Sequence, residues 1–310
     1  MGSKKLSIVV SVYNEQEVLR HFHREMTKVL DGMNVDHELI YVNDGSGDFS
    51  QDILAELAKG NPAVKVINFS RNFGHEAAMI AGIDHSAGDF IVCIDSDLEK
   101  PPEEVVRMYQ AYLDGNEVVN MVYRSDKNRG MARQYMTKGY YRFLNRISRI
   151  RFVENASDFF GISCTIADIL KENYRERRRY IRGFIQSMGF RSISLEYVPG
   201  ERYAGTSKYS FKILLNLAIT AITNFSDKPL RLGFYLAGFC LLLTGIDGII
   251  TIKDLITGRG GLMFDCTDLV FLFLFASAFF FMGILGIYLG DIQQECKKNP
   301  IYHIKDTYNF

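Results

Sequence analysis

Five short apolar runs in the first 125 residues each end in a cluster of polar residues, and this repeat constrains the fold more than any other feature. The runs are Leu6 to Val12, Glu38 to Val42, Val64 to Phe69, Phe90 to Ile94 and Glu117 to Tyr123. Between them lie amphipathic stretches of helical length: Glu15 to Leu30, Ser50 to Lys59, Ala77 to His85 and Pro102 to Leu113. Alternation of this kind predicts an α/β fold with a mostly parallel, doubly wound sheet. The near-continuous apolar character of the runs agrees, because strands of such a sheet are covered on both faces.

Ligands of parallel α/β sheets sit outside the carboxyl ends of the strands. The first run ends in Tyr13, Asn14 and Glu15, and the second in Asn43, Asp44, Gly45 and Ser46. The third ends in Ser70, Arg71 and Asn72, the fourth in Asp95, Asp97 and Glu99, and the fifth in Arg124, Ser125 and Asp126. One polar turn is unremarkable; five in the same topological place predict a single site. The first strand–helix turn lacks G-x-G-x-x-G and G-K-[ST], the usual glycine loops around phosphates. A diphosphate would then need another counter-charge, which a divalent cation on carboxylates can supply. Asp95 and Asp97 suit Mg²⁺ or Mn²⁺, since side chains two apart leave a strand on one face. Glu99 is a third carboxylate at the same spacing. The competing reading of Asp97 is a helix cap ahead of Pro102.

Composition narrows the class. A formal net charge of +0 gives no global attraction to nucleic acid. The 5 cysteines have no C-x-x-C spacing, which fits a reducing compartment and not a disulfide scaffold. No His/Cys cluster of metal-ligand spacing occurs, and the N-terminus lacks the apolar run and small-residue site of a leader.

The C-terminal third changes character. Leu269 to Gly290 is 22 residues without a charge, long enough to span a bilayer core as a helix. Leu232 to Ile252 is similar, with Asp247 inside it. A buried core helix pair is the competing reading. The outer flanks carry Lys212, Lys228, Arg231, Lys297, Lys298 and Lys305, against Lys253 and Arg259 in the connection. That asymmetry predicts both outer flanks, and hence both termini, on the cytoplasmic side. Asp247 is expected to face protein or water, in the bundle or near the outer interface.

Two segments point to the bilayer surface. From Arg124 to Arg151 there are nine Lys/Arg against one Asp, and Met136, Tyr140, Phe143, Ile147 and Ile150 recur at helical spacing. A basic amphipathic helix is a membrane-surface signal, with a solvated face of a packed helix as the alternative. Residues 209–231 read as an interfacial or buried helix leading into the first apolar run. The expected organisation is therefore a catalytic domain over 1–208, an interfacial segment over 209–231, two spanning helices at about 232–252 and 269–290, and a cytosolic tail over 291–310.

Six motifs in order, "SIVVSVYNE", "VNDGSGD", "SRNFGHEAAMIAGIDHSAGD", "IDSDLEKPPE", "ENASDF" and "ERYAGTSKYSF", precede "FSDKPLRLGF" and the two apolar runs. Together they resemble the polyprenyl-phosphate glycosyltransferases of glycosyltransferase family 2, over nearly the whole chain. The resemblance implies a GT-A catalytic domain, Rossmann-like, with a transmembrane hairpin in the plasma membrane. It implies inverting transfer of a hexose from a nucleotide-diphosphate sugar, UDP-glucose being commonest, to a polyprenyl phosphate. N-acetylglucosamine, galactose or mannose donors are compatible, as is an inactive sugar-nucleotide-binding scaffold. It also implies a homo-oligomer, with tetramers frequent.

Carried onto this sequence, the resemblance assigns Val12, Tyr13, Asn14 and Glu15 to the nucleotide and Asp44 to its base or ribose. Asp95, Ser96 and Asp97 hold donor and metal, with Glu99 beside them. Asp158 matches the residue usually named the catalytic base; orienting the acceptor, or taking its last proton, fits as well, because a phosphate acceptor is already anionic. Arg124, Arg133, Arg202, Ser207 and Lys208 form the expected phosphate- and acceptor-binding set. Three positions depart from the pattern: Ser11 stands where Pro is usual, Glu99 where Gln is common, and Phe160 where Arg is common. The absence of Trp argues against the processive polysaccharide synthases, which carry a Gln-x-x-Arg-Trp segment.

Overall fold

The computed structural model describes residues 4–124, 145, 153, 156–176, 179–200, 228–257 and 263–310. The chain divides into two compact units, and the C-terminal Pro300–Phe310 belongs to the first.

The first unit is built on one sheet. Its central strand β1 (Leu6–Val12) is buried at every position. β1 pairs in parallel with β2 (His37–Asn43) and β4 (Phe90–Asp95), and β2 pairs in parallel with β3 (Val64–Phe69). β5 (Val118–Tyr123) pairs in parallel with β7 (Ser192–Tyr197). Two strands run the other way: β6 (Ala156–Ser163) between β4 and β5, and β8 (Ile304–Tyr308) on β3. The order is β7-β5-β6-β4-β1-β2-β3-β8. The α/β, mostly parallel architecture expected from the sequence is present, with β6, β7 and β8 as additions.

Helices cover both faces. α1 (Leu19–Met33) buries Leu19, Phe22, Met26 and Leu30, spaced by three or four so that they share one face. Burial of each such side chain contributes about 1.5–3 kcal/mol. The helix starts four residues later than expected, after a turn in which the Glu15 carbonyl accepts from Val18 and Leu19 N–H. α2 (Ser50–Gly60) packs near β3. α3 (His75–Asp84) is buried from Ala77 through Ile83. Its small residues allow close approach: a Cβ on Gly82 would stand 2.1 Å from Val9 Cγ1. α4 (Glu104–Leu113), α5 (Cys164–Asn173) and the short α6 (Ile181–Ser187) complete this unit among the described residues.

Residues 291–310, expected as a tail, are not one. Helix α8 (Met263–Cys296) runs into them, and the chain then forms β8 on the sheet edge. Tyr302 stacks on Phe69 at 5.1 Å and 11°, and Asn309 Nδ2 donates to the Ala58 and Val64 carbonyls at 2.7 and 2.8 Å.

The second unit contains α7 (Lys228–Thr257) and α8. They pack on one another through Phe239 and Phe273, edge to face at 5.8 Å, and through Phe281, whose ring lies where a Cβ of Gly233 would be. Their outward surface is apolar, with Phe234, Tyr235, Leu241 and Phe279 exposed. Among the described residues one helix, Phe273–Cys296, is long and apolar enough to cross a membrane; Gly233–Ile249 is a shorter apolar stretch. The basic segment after Arg124 and most of 209–231 lie outside the described residues.

Candidate active site

The carboxyl ends of β1, β2 and β4 share one edge of the sheet, which parallel pairing dictates. Because β6 is antiparallel to β4, its beginning, and so Asp158, lies at that same edge. Topology thus brings Asp95 and Asp158 together from opposite chain directions.

Asp95 arrives at this edge already neutralised. Its Oδ1 accepts from Ser11 Oγ at 2.9 Å and lies 3.5 Å from His75 Nδ1. Its Oδ2 is paired with Lys100 Nζ, and the Lys100 side chain is only 5% exposed. Burial opposes ionisation of Asp95, but the Lys100 ammonium, His75 and the two hydrogen bonds hold its pKa down at about 2. The same pairing, with Asp158 nearby, keeps Lys100 protonated against its own burial. Ser11 therefore explains one departure from the family pattern: it supplies a hydroxyl that proline lacks. Since that hydroxyl donates to Asp95, it accepts from His75 Nδ1 at 3.0 Å, which puts a proton on Nδ1.

The Asp97 pKa is shifted in the other direction. Burial and the Asp95 charge push its pKa up, with Lys100 and the Glu99 N–H, 3.1 Å from Oδ1, as partial offsets. It does not cap α4, whose first residue is Glu104. Between the two acids Ser96 is buried, its hydroxyl directed to the Ser11 carbonyl at 3.4 Å. Leu98 holds φ 60, an uncommon conformation for a leucine, and Gly200 N–H fixes the loop by donating to Glu99 O at 3.0 Å. Among the described residues no three His, Cys, Asp or Glu side chains converge as a preformed cation cage. The donor set fits an ion of the Mg²⁺ type, which takes one or two carboxylates and completes its shell with substrate phosphate and water.

Asp158 has a cation of its own. Arg182 Nε lies 3.0 Å from Oδ1, and His75 Nε2 lies 4.0 Å from Oδ2. Burial would raise the Asp158 pKa; Arg182, His75 and Lys100 outweigh it and hold the carboxyl below its usual range. Phe160, two residues on and buried, occupies the position where arginine is common. Here the arginine comes from α6. Glu76 adjoins this group: its Oε2 accepts from Ile181 N–H at 3.0 Å, and burial with the Asp158 charge raises its pKa.

The other expected residues fall into two sets. Asn14 sits at φ 55 at the end of β1, and Tyr13 beside it is 41% exposed. The Val12 side chain is in the core, so only its backbone can face a ligand, and its carbonyl accepts from Asp44 N–H. Glu15 N–H donates to Ser50 Oγ at 3.0 Å. Asp44 is 3% exposed, and its two oxygens accept from Phe73 and Gly74 N–H at 2.6 and 2.9 Å, anchoring the turn into α3. Arg124 is exposed at the end of β5. Arg133, Arg202, Ser207 and Lys208 lie outside the described residues. Parallel pairing with β2 brings the end of β3 to the same edge, where Ser70 N–H donates to His303 O and Arg71 lies over the Phe73 ring at 4.1 Å.

Residues 7–170 match the model of glycosyl transferase family 2. The uncharacterized glycosyltransferase YkcC of Bacillus subtilis is 35% identical, with 97% of this chain and 94% of that protein covered. The SfII prophage-derived bactoprenol glucosyl transferase of Shigella flexneri is 33% identical, with 98% of each covered. The solved mannosyl-3-phosphoglycerate synthase of Rubrobacter xylanophilus shares the fold, with a TM-score of 0.50 at 12% identity over 71% of this chain and 72% of that one. On the family match and the near full-length identity to these relatives, the chain belongs to glycosyl transferase family 2.

Proposed function

We propose that the protein transfers a hexose from a nucleotide-diphosphate sugar, with UDP-glucose favoured, to the phosphate of a membrane polyprenol, inverting the anomeric carbon. The observation that carries this reading is the acidic edge itself, where Asp95 at the end of β4 and Asp158 near the start of β6 meet around His75. The printed name of the Shigella relative, a bactoprenol glucosyl transferase, supports the acceptor and the sugar.

Asp97, crowded by burial and by Asp95, is the carboxylate best placed to hold a divalent cation, with Glu99 beside it. Bound there, Mg²⁺ or Mn²⁺ would offset the charge of a leaving diphosphate. Asp95 acts behind Asp97, fixed by Ser11 and Lys100. Asp158 is ionised at neutral pH and is a weak proton acceptor, so it orients the anionic acceptor in preference to deprotonating it. Arg124, with Arg133, Arg202, Ser207 and Lys208, would meet donor and acceptor phosphates. The Asn14 loop and Asp44 would hold the nucleotide.

The acceptor is lipid-linked, so the reading includes a membrane-anchored enzyme with α7 and α8 as a spanning hairpin and the catalytic unit in the cytoplasm. The apolar outer surface of both helices and the return of the chain to the sheet at β8 support it. The test is transfer of radiolabel from UDP-glucose, UDP-N-acetylglucosamine, UDP-galactose or GDP-mannose into organic-extractable lipid, with undecaprenyl phosphate and Mg²⁺ or Mn²⁺. Label in the lipid phase from UDP-glucose is expected; none from any donor would favour an inactive scaffold.

A further inference from the structure

Three polar residues stand in register across three adjacent strands. Asn43 of β2 is opposite Asn68 of β3, and Asn68 is opposite Asp306 of β8. Asn68 Nδ2 donates to Asp306 Oδ1 at 2.5 Å, and Asn43 Nδ2 donates to Asn68 Oδ1 at 2.9 Å. The row continues into the loops: Ser46 N–H donates to Asn43 Oδ1 at 3.0 Å, and Asn14 N–H donates to Ser46 Oγ at 3.0 Å. Gly47 N–H closes the contact by donating to Asn14 Oδ1 at 2.9 Å.

The direction of this relay is fixed at both ends, since the Ser46 N–H only donates and the Asp306 carboxylate only accepts. A carboxylate only accepts, so Asp306 obliges Asn68 to present its NH₂ group to β8 and its carbonyl to β2. Asn43 must then turn its NH₂ to Asn68 and its carbonyl to Ser46. Asn68 and Asn43 are 0% and 1% exposed, so water cannot repair a flipped amide. An unsatisfied buried group of that kind is costly. The turn that receives the relay also needs holding: Asn14 and Gly45 both have positive φ, at 55 and 65. A Cβ on Gly45 would stand 2.3 Å from the Arg71 carbonyl carbon.

We infer that Asp306 is a positioning residue for donor binding, which sets the amide polarity of Asn68 and Asn43 and thereby the shape of the Asn14–Ser46 loops. The inference rests on the reading that these loops hold the nucleotide. It means that the donor site is completed only when the segment following α8 has docked on the sheet, so nucleotide affinity depends on a residue more than 200 positions from the loop it shapes.

The test uses the full chain in detergent or nanodiscs, with UDP as probe. Asp306→Ala should speed amide hydrogen exchange over residues 43–47 and weaken UDP binding about five- to tenfold, the effect of one hydrogen bond. The KM for polyprenyl phosphate should not move. Asp306→Asn, whose Oδ1 still accepts, should restore both. Asn309→Ala removes the bonds to the Ala58 and Val64 carbonyls at the other end of β8; it should lower the melting temperature and leave UDP affinity near wild type. UDP affinity unchanged in Asp306→Ala, or reduced equally in Asn309→Ala, overturns the inference while the donor-site reading stands. Wild-type protein that binds no nucleotide overturns both.

Discussion

The Lys100 ammonium is buried against the Asp95 carboxylate, so the first acid of the β4 edge carries its counter-ion from within the protein. Three acids at this edge, Asp95, Asp97 and Glu99, thus present a formal charge of about −2 to a cation, not −3, once Lys100 is counted. Breaking a buried pair by removing one partner costs about 3–5 kcal/mol, because a charge is left uncompensated. Lys100→Met should therefore lower the melting temperature sharply, and Lys100→Met with Asp95→Asn should recover most of the loss. Equal melting temperatures for the single and double variants would show that the pair is not the source.

Asp95 and Asp97 should respond to acid with opposite signs. Asp95 has a folded pKa of about 2 against an ordinary 3.8, so its contribution to stability is complete above about pH 4 and is lost as pH falls toward 2. Asp95→Asn should flatten that acid limb in thermal unfolding. The Asp97 pKa is raised, so its ionisation at neutral pH costs stability. Asp97→Asn should leave the melting temperature at pH 7 unchanged or higher while abolishing transfer. A variant that melts lower than wild type, or that retains full transfer, would remove Asp97 from the role proposed for it.

Much of this arrangement was legible in the sequence, and the reasons for the gaps are physical. β1 and β3 match their apolar runs residue for residue, because strands covered on both faces leave a near-continuous hydrophobic record. β8 leaves none: it is an edge strand carrying Lys305 and Asp306, which reads as a polar tail. β6 shows in the sequence only as the motif around Asp158, which carries no signal of its antiparallel placement beside β4. Strand ends identified Asp95 and Asp97, and the family resemblance supplied Asp158. They did not identify His75, Lys100 and Arg182, which reach the acids from α3, the β4 loop and α6. Pairing across elements leaves no periodic trace, although His75, following Gly74 in the motif "NFGHE", was a visible polar anomaly ahead of an apolar helix.

Arg182 should act through Asp158. Its guanidinium lies at ion-pair distance from Oδ1 and also donates to the Ala156 carbonyl, so it fixes both the side chain and the strand that carries it. Misplacement of a reacting group by about 1 Å can cost on the order of 100-fold in rate. Arg182→Met should reduce kcat by about that factor with UDP affinity near wild type, and Arg182→Lys should recover part of it. Loss of UDP binding in parallel with kcat would place Arg182 at the donor and not behind Asp158.

The position of β8 constrains how α7 and α8 can meet a bilayer. β8 follows α8 in the chain, yet it is hydrogen-bonded to β3, which precedes α7. A single crossing would leave β8 on the far side of the membrane from the sheet it completes. Among the described residues Phe273–Cys296 is long and apolar enough for one crossing, and the hairpin we propose requires Gly233–Ile249 with its flanks to make the second. α7 is 30 residues long, which at about 1.5 Å per residue exceeds a hydrocarbon core of about 30 Å. Cys296 is exposed at the end of α8 and serves as a reporter. In a variant retaining only that cysteine, an impermeant maleimide should label it from the cytoplasmic face of oriented vesicles. A cysteine introduced as Gly260→Cys, between the two helices, should label from the opposite face. Labelling of both from the same face would rule out the hairpin and place the two helices on the membrane surface.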